Sequence, residues 1–287
     1  MPKISIVILT YNSSKYIEEL LQGLLKKYSQ ELKDDELEIV VADNLSHDDT
    51  LVKVNKFKEK VRLIENKGNV GFAKGNNLAA KKARGDFLIF INPDARIKSG
   101  DIFKLASIFD DEKVGIVGGE IISFQGEKEL SCGRFYNPFN TLVLALGIEE
   151  KIGLRFSPKQ DRNVDFVSGG FLMIRKNLFD RLNGFDENYF MYLEDADLCF
   201  QARKKGFKAR YSKMATIQHV GQGSSNRTFA VINIYKGLMY FNKKNYGKIA
   251  HAFVRLVLRA KAAFLVLTGK MVNNKYLVET YTEALKV

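Results

Sequence analysis

The chain has 287 residues, of which 46% are hydrophobic and 27% charged, so it can bury a full core and is neither disordered nor fibrous. Lysine and arginine outnumber aspartate and glutamate by 45 to 33, giving a formal net charge of +12. The two cysteines, Cys132 and Cys199, have neither the number nor the spacing of a disulfide framework or a cysteine-based zinc site. With only four prolines and no long Ser/Gly/Pro tract, the chain is expected to form one continuous body. Because no signal-peptide pattern opens the sequence, we expect that body to be cytoplasmic.

Strands and helices alternate through the first half of the sequence. Short apolar or β-branched runs predict strands at 4–9, 38–42, 61–64, 86–91 and 114–117, and the stretches between them have helical periodicity. Fully apolar runs of this length are typical of buried parallel strands. The pattern therefore predicts an α/β fold of the nucleotide-binding type, with a mostly parallel central sheet flanked by helices.

The second half is less regular. Residues 164–174 predict one strand that contains Ser168, Gly169 and Gly170, residues 178–182 and 194–205 predict helices, and residues 208–211 predict a strand. The stretch 123–162 has weak periodicity and receives no assignment.

More than half of the excess positive charge lies near the end of the chain. From residue 241 onward, nine basic residues stand against two acidic ones, a net charge of +7. Residues 250–267 carry too many charges for a helix that crosses a bilayer, but His251, Arg255 and Arg259 recur every four residues and share one helical face. This pattern is typical of a basic amphipathic helix at an anionic membrane surface. A helix packed on the body with a solvated basic face is the alternative.

Polar residues follow three of the predicted strands, and in open α/β sheets ligands collect at the carboxyl ends of strands. Helix capping explains each of these motifs taken alone, but together they indicate a ligand crevice. The residues are Thr10, Tyr11 and Asn12 after the first strand, Asp43 after the second, and Asn92 and Asp94 after the fourth.

Two segments are candidates for holding a nucleotide. Asp43 can accept hydrogen bonds from the edge of a pyrimidine while Tyr11 contacts the base face, although Asp43 can equally cap a helix. The loop 66–77 resembles a phosphate cradle at a helix start but lacks the Walker spacing, so we interpret it as a wall of a nucleotide-sugar site. Its candidate contacts are Asn69, Gly71, Lys74 and Asn77.

Four carboxylates and a histidine are candidates for roles in the chemistry. Asp94 can ligate a divalent ion, manganese or magnesium, that also binds a diphosphate, although a Pro-Asp turn is a common way to end a strand. Asp195 begins a helix beside Glu194 and Asp197, where it can act as a general base or merely complement the helix dipole. His219 can contribute a nitrogen to the metal or a hydrogen bond to the diphosphate.

In order and spacing, these motifs resemble the family 2 inverting glycosyltransferases of the GT-A fold, specifically their rhamnosyltransferase-like branch. The resemblance extends from Ile4 to about Ser225. The motifs that carry it are Thr10-Tyr11-Asn12, Asp43-Asn44, Asn69-Val70-Gly71-Phe72-Ala73, Gly75-Asn76-Asn77, Asn92-Pro93-Asp94, Ser168-Gly169-Gly170, Phe185-Asp186-Glu187, Phe190, Glu194-Asp195, Asp197-Leu198 and His219.

The resemblance implies a Rossmann-like nucleotide-diphospho-sugar transferase domain over 1–225 and a basic helical extension over 226–287. Thr10, Tyr11, Asn12 and Asp43 would then hold the nucleotide. The family's Asp-x-Asp motif, which binds metal and diphosphate, has Asn92 in place of its first aspartate, so Asp94 remains as the ligand.

On the acceptor side, the resemblance implies that Asp195 is the base and that His219 corresponds to the late histidine near the diphosphate. The acceptor would contact Ser168, Gly169 and Gly170 together with Glu194 and Asp197. The implied reaction moves rhamnose from dTDP-rhamnose, or a hexose from a UDP-sugar, to a glycan or lipid-linked acceptor of a surface polysaccharide. The implied enzyme is cytoplasmic, peripheral on the membrane and a candidate homo-oligomer, with no nucleic acid partner.

Two other classes of protein remain open. A nucleotidyltransferase would share the α/β half but needs a glycine-rich basic loop after the first strand, where Thr10-Tyr11-Asn12-Ser13-Ser14 stands instead. A membrane-surface or nucleic-acid binding module with an inactive nucleotide-binding fold would explain the basic excess, but not an acidic cluster around Asp195.

Overall fold

The computed structural model describes residues 3–219 and 226–287. Its strands are β1 (Ile4–Thr10), β2 (Leu37–Asp43), β3 (Arg62–Glu65), β4 (Phe87–Ile91), β5 (Ala95–Gly100), β6 (Val114–Ile122), β7 (Cys132–Gly133), β8 (Arg155–Phe156), β9 (Arg162–Val164), β10 (Phe166–Val167), β11 (Phe171–Arg175) and β12 (Lys208–His219). Its α-helices are α1 (Ile17–Lys27), α2 (Ser29–Lys33), α3 (Thr50–Asn55), α4 (Phe72–Ala80), α5 (Ile102–Ser107), α6 (Pro138–Ala145), α7 (Lys176–Arg181), α8 (Glu194–Lys204), α9 (Arg227–Met271) and α10 (Lys275–Leu285).

The central sheet has the strand order β3-β2-β1-β4-β11-β6-β12-β5, and β9 pairs with β12. The α/β fold with flanking helices is confirmed, and the first four strands of this order pair in parallel as predicted. Beyond β4 the sheet is mixed. Strand β11 runs antiparallel between β4 and β6, whereas β12 is parallel to β6 and antiparallel to β5.

Alternating side chains of the buried strands build a hydrophobic core on each face of the sheet. In β1, Ile6 and Ile8 pack on the face covered by α1, and Val7 packs on the opposite face, as the two-residue period of a strand requires. Every residue of β2 is buried. Burial on both faces explains why these strands read as continuous apolar runs.

The prediction of a single strand over 164–174 is wrong in detail. The chain forms two short strands, β9 and β10, on either side of Asp165, and residues 168–170 belong to no strand before β11 begins. Strand β12 extends to His219, well beyond the predicted end at residue 211, because its later residues pair with the unpredicted edge strand β5. The unassigned stretch 123–162 supplies β7, β8 and α6, and the strands β10-β7-β8 form a small second sheet.

Helix α9 consists of two arms joined at Gly247, whose φ of 89° and ψ of −175° are not helical and are accessible essentially only to glycine. The carbonyl oxygen of Met239 lies 3.1 Å from Nδ1 of His251, so the second arm (248–271) folds back beside the first arm (227–246). Leu238 and Phe241 of the first arm and Val254 of the second join the core of the body. Among the described residues, no helix is long and apolar enough to cross a membrane.

Candidate active site

A cavity of about 1060 Å³ opens at the carboxyl ends of β1 and β4, and its volume is suited to a ligand of nucleotide-sugar size. Residues from most of the predicted motifs meet there, although they are far apart in sequence. The predicted site residues that line it are Thr10, Tyr11, Asn12, Asn69, Gly71, Asn92, Asp94, Ser168, Gly169, Gly170, Glu194, Asp195 and His219.

Asp43 lies beneath the cavity wall and is fully buried. Its carboxylate accepts hydrogen bonds from Oγ1 of Thr10 at 2.8 Å, from the backbone N–H of Ser46 at 2.7 Å and from Oγ of Ser46 at 2.6 Å. Three protein donors therefore occupy this carboxylate, and Asp43 connects the ends of β1 and β2 behind Tyr11.

Asn44 and Gly71 position the loop that precedes α4. Nδ2 of Asn44 donates to the carbonyl oxygen of Gly71 at 3.1 Å. Gly71 has a φ of +86°, and a Cβ there would lie 2.5 Å from the carbonyl oxygen of Phe190. Only glycine fits this close approach. Asn44 lines the cavity but was not among the predicted site residues.

Like Asp43, two further residues that were predicted to contact the nucleotide, Lys74 and Asn77, do not line the cavity. The side chain of Asn77 exchanges hydrogen bonds with the backbone of Phe185 at 2.8 and 2.9 Å, and Nζ of Lys74 lies 3.9 Å from Oε2 of Glu187. Both residues lie on the side of α4 that faces the segment after α7, where they hold that segment in place.

His219 forms the opposite end of the cavity together with Asp94 and Glu129. Nδ1 of His219 lies 2.7 Å from Oε2 of Glu129. Burial favours the neutral ring, but the hydrogen bond to Glu129 and the charges of Glu129 and Asp94 outweigh it and raise the pKa of His219. For Asp94, burial disfavours the ionised carboxylate and raises its pKa, although the charge of His219 acts in the opposite direction.

The donor set at this end fits a divalent ion that is shared with a diphosphate. Within residues 3–219 and 226–287 no three His, Cys, Asp or Glu side chains form a metal-binding group. Nε2 of His219 is buried and has no hydrogen-bond partner among them. Asp94 and His219 thus offer one oxygen and one nitrogen, and manganese and magnesium commonly complete their coordination with water and substrate phosphate.

Asp195 stands at the start of α8, where Leu193 adopts a left-handed φ of 72° just before the helix. Its Oδ2 accepts the backbone N–H of Gly169 at 2.8 Å, and its Oδ1 accepts that of Ala196 at 2.7 Å. Burial raises the pKa of Asp195, although the Gly169 hydrogen bond and the charge of Arg155 act against it. A carboxylate held in this way is oriented and more basic than a solvated aspartate.

Glu194 lines the cavity beside Asp195 and is only 5% exposed. Its Oε2 atom has no hydrogen-bond partner among the described residues. Burial, and then the neighbouring charge of Asp195, raise the pKa of Glu194 well above its ordinary value. The folded protein therefore disfavours the ionised form of this carboxyl group.

The tripeptide Ser168-Gly169-Gly170 connects the two ends of the cavity. Gly169 donates to Asp195, and the backbone carbonyl of Gly170 accepts the N–H of Asn92 at 3.2 Å. A Cβ at Gly170 would lie 3.0 Å from Nδ2 of Asn92 and 3.5 Å from Nε2 of His219. Because Gly169 and Gly170 have no side chains, the candidate base and the candidate metal ligands can approach the same space.

Arg155 and Tyr136 also line the cavity, and sequence reasoning missed both. Nη1 of Arg155 donates to the hydroxyl of Tyr136 at 3.3 Å, and the guanidinium lies 5.4 Å from the centre of the Phe166 ring. Both residues come from the unassigned stretch 123–162. No local pattern could have identified them, because their proximity to Asp195 results from the small second sheet.

Asp197 does not line the cavity, contrary to its predicted acceptor role. Its buried carboxylate pairs with Nζ of Lys244 at 2.5 Å and accepts from Nδ2 of Asn245 at 3.0 Å. Lys244 also pairs with Asp186 at 2.8 Å. Asp197 therefore holds the first arm of α9 against α8, and that arm contributes Phe229, Ile234 and Leu238 to the cavity wall.

The mixed sheet, the helices on both of its faces and the cavity at the strand ends form a nucleotide-binding α/β architecture, which solved structures identify as the GT-A fold. The sequence model described as Glycosyl transferase family 2 matches residues 5–182. The chain therefore belongs to glycosyl transferase family 2 and is a glycosyltransferase.

Several relatives are named as sugar transferases. The chain is 28% identical to the rhamnosyltransferase WbbL of Escherichia coli over 219 residues, which is 72% of this chain and 79% of WbbL. It is 25% identical to the N-acetylglucosaminyl-diphospho-decaprenol L-rhamnosyltransferase of Mycobacterium tuberculosis over 77% of each chain. Identity to the poly(ribitol-phosphate) β-N-acetylglucosaminyltransferase TarS of Staphylococcus aureus reaches 40%, but over only 39% of this chain and 19% of TarS.

Solved structures share the fold. A TarS fragment in complex with UDP-GlcNAc superposes with a TM-score of 0.60 at 20% identity, covering 99% of this chain and 79% of the fragment. The mannosyltransferase PcManGT of Pyrobaculum calidifontis, in complex with GDP-Man and Mn²⁺, superposes with a TM-score of 0.60 at 19% identity, covering 99% of this chain and 85% of PcManGT.

Proposed function

We propose that the protein is an inverting sugar transferase that uses a pyrimidine-nucleotide sugar, dTDP-rhamnose first and UDP-hexoses next. The proposed acceptor is a hydroxyl of a lipid-linked glycan in the synthesis of a cell-surface polysaccharide. The observation that carries the proposal is the position of Asp195 on one side of Gly169-Gly170, with Asp94 and His219 on the other, in one cavity. That arrangement suits a base and a leaving group on opposite sides of a sugar.

The donor half of the proposal rests on the strand ends. Tyr11 is partly exposed at the cavity wall, where its ring is available to a base, and Thr10 is fixed beneath it by Asp43. Asn69 and Gly71 line the neighbouring wall. Asn92, in place of the family's first aspartate, adds an uncharged amide beside the diphosphate position.

Asp94 and His219 would hold a manganese or magnesium ion together with the donor diphosphate. When bound, such an ion offsets the negative charge that develops on the leaving nucleoside diphosphate. Nε2 of His219 is buried and has no hydrogen-bond partner in the part of the chain that the structure describes, and this supports the assignment because a buried nitrogen without a partner is unfavourable.

Asp195 would accept the proton of the acceptor hydroxyl as that oxygen attacks the anomeric carbon. The bond between the anomeric carbon and the diphosphate oxygen breaks, its electron pair leaves with the nucleoside diphosphate, and the configuration at the carbon inverts. Gly169 keeps the carboxylate oriented through its N–H. A positioned base of this kind commonly contributes a roughly 10²–10⁴-fold rate acceleration.

The acceptor assignment draws on the relatives. WbbL is named a rhamnosyltransferase, and the mycobacterial relative is named for a decaprenol-diphosphate acceptor. A lipid-linked acceptor would bring the enzyme to the cytoplasmic face of a membrane as a peripheral protein, and the basic second arm of α9 is consistent with that location.

A transfer assay tests the proposal. The protein is incubated with Mn²⁺, a short-chain prenyl-diphosphate-sugar acceptor, and dTDP-rhamnose, UDP-glucose, UDP-N-acetylglucosamine or GDP-mannose in turn. We expect one pyrimidine donor to give a product of inverted anomeric configuration by NMR. Asp195→Asn should slow the transfer by at least roughly 100-fold, whereas the exposed control Asp110→Asn should not slow it. No transfer from any donor, together with steeply salt-dependent binding of nucleic acid, would replace the proposal with the binding-module alternative.

A further inference from the structure

The second arm of α9 has an exposed apolar stripe that the body leaves uncovered. Six large apolar side chains on this arm are between 41% and 89% exposed. They occur 0, 4, 7, 15, 18 and 22 residues along the arm, close to multiples of the helical repeat, so they share one face. The stripe consists of Ile249, Phe253, Leu256, Phe264, Leu267 and Met271.

The opposite face of the same arm is packed on the body. Ala250, Val254, Leu258 and Ala262 are buried and recur every four residues. The exposed stripe is therefore not a fraying helix but the outer side of a firmly attached one. Single exposed apolar residues are ordinary in soluble proteins, whereas a continuous line of six over six turns indicates a surface that is covered in use.

Basic side chains border this stripe on one flank. Lys248, Arg255, Arg259 and Lys270 are exposed and, at 100° per residue, lie within about a third of a turn of the stripe. The arm 248–271 contains no acidic residue. None of the four forms an ion pair with any residue in 3–219 or 226–287.

We propose that this stripe and its basic flank dock the protein on an anionic lipid surface, with the arm lying in the plane of the interface. An apolar strip bordered by lysine and arginine matches the acyl–headgroup boundary of an anionic leaflet. Charge argues against a second copy of the chain as the occupant. Two copies paired through this face would bring eight cationic groups together with no acidic partner on either arm.

The docked arm also lies beside the active-site cavity. Nζ of Lys261 in this arm donates to the carbonyl oxygen of Leu144 at 3.2 Å, and Leu144 lines the cavity. This step rests on the proposed function: docking through the arm would bring the cavity close to an acceptor whose lipid remains in the bilayer. Membrane docking itself does not depend on the reaction and can be tested without it.

The test is flotation of the full-length protein with vesicles of phosphatidylcholine containing about one third phosphatidylglycerol, and with pure phosphatidylcholine vesicles. Leu256→Glu/Leu267→Glu places charges in the stripe, and Val52→Glu, with similar exposure on α3, is the control. Arg255→Glu/Arg259→Glu reverses the flank, and Lys58→Glu/Lys60→Glu lowers the net charge equally at exposed positions elsewhere.

We expect both arm variants to bind anionic vesicles at least roughly tenfold more weakly than wild type, and both controls to bind as wild type does. Wild-type binding should weaken with salt and with removal of phosphatidylglycerol.

Equal binding of the arm variants and controls, or no wild-type binding, overturns the proposal. So does a wild-type dimer in sedimentation velocity that Leu256→Glu/Leu267→Glu dissociates. Unchanged transfer to a short-chain soluble acceptor by the arm variants separates failure of docking from failure of the proposed function.

Discussion

Nδ1 of His219 lies 2.7 Å from Oε2 of Glu129, and Nε2 on the other side of the ring lies near Gly170 with no hydrogen-bond partner within residues 3–219 and 226–287. The two residues are separated by 90 positions in the chain and meet because β12 extends alongside the segment that follows β6. A carboxylate bonded to one ring nitrogen fixes the tautomer and orientation of the other.

Replacing Glu129 by alanine should weaken the binding of Mn²⁺ and donor by roughly 10–100-fold, because the His219 ring loses its orienting partner. Glu129→Gln keeps an acceptor oxygen and should retain most of the affinity. Calorimetric titration with UDP or dTDP in the presence of Mn²⁺ measures the effect. If the alanine variant binds as tightly as wild type, Glu129 has no orienting role.

Asp195→Asn should lower kcat by roughly 10²–10⁴-fold while the dissociation constant of the donor changes little. The physical reason is that asparagine can keep the hydrogen bond from Gly169 but cannot accept the proton. Steady-state kinetics and a separate donor-binding titration distinguish the two effects. A large loss of donor affinity would instead place Asp195 in donor binding.

The pH profile should show activity falling on the acidic side at a pH above that of an ordinary aspartate. The folded-state pKa of Asp195 is raised, chiefly by burial, so the base becomes protonated before a solvated carboxylate would. Arg155 opposes this shift, and Arg155→Met should move the acidic limb to still higher pH. If the Arg155→Met protein is folded and the acidic limb of its pH–activity profile does not move, a group other than Asp195 controls that limb.

Glu194→Gln should raise the melting temperature at neutral pH. Because burial and Asp195 raise the folded pKa of Glu194, ionised Glu194 destabilises the fold once the pH exceeds its unfolded pKa. Glutamine removes that cost, so the gain should shrink as the pH falls towards 4. Differential scanning calorimetry across this range checks the sign, and a lower melting temperature at pH 7 would contradict it.

Gly247→Ala should destabilise the protein by about 1–3 kcal/mol, because no other residue adopts its backbone angles without strain. Gly23, which lies within α1 with open space around it, is the matched control. Gly23→Ala should be neutral or stabilising by roughly 0.5–1 kcal/mol. Urea denaturation of both variants compares them, and equal stability would show that the turn between the two arms relaxes.

The parts of the fold that could be predicted from sequence are those with strong local signals. Runs such as Ile39–Ala42 are apolar because both faces of β2 are covered, and the polar strand ends at Thr10 and Asn92 follow from the same geometry. The short strands β7 and β8 have no such signal, since each spans two residues and exists only through pairing with distant segments.

The same distinction explains the candidate site. Asp195, Asp94 and His219 occur within recognisable motifs, whereas Arg155, Tyr136 and Glu129 reach the cavity only through tertiary structure. Asp43, Asn77 and Asp197 also lie in these motifs, and Lys74 lies between two of them, but their side chains contact neighbouring elements that sequence cannot locate. A motif therefore predicts which segments meet more reliably than which side chain of the segment faces the ligand.

The proposed reaction requires that this cavity bind a pyrimidine-nucleotide donor with a divalent ion held at Asp94. A thermal-shift series with dTDP, UDP and GDP, each with and without Mn²⁺, tests this requirement for wild type and Asp94→Ala. A ligand that binds only the folded state raises the melting temperature. We expect stabilisation by dTDP or UDP that increases with Mn²⁺ and loses this increase in Asp94→Ala. No response to either pyrimidine nucleotide, or an equal Mn²⁺-dependent response in the variant, would contradict it.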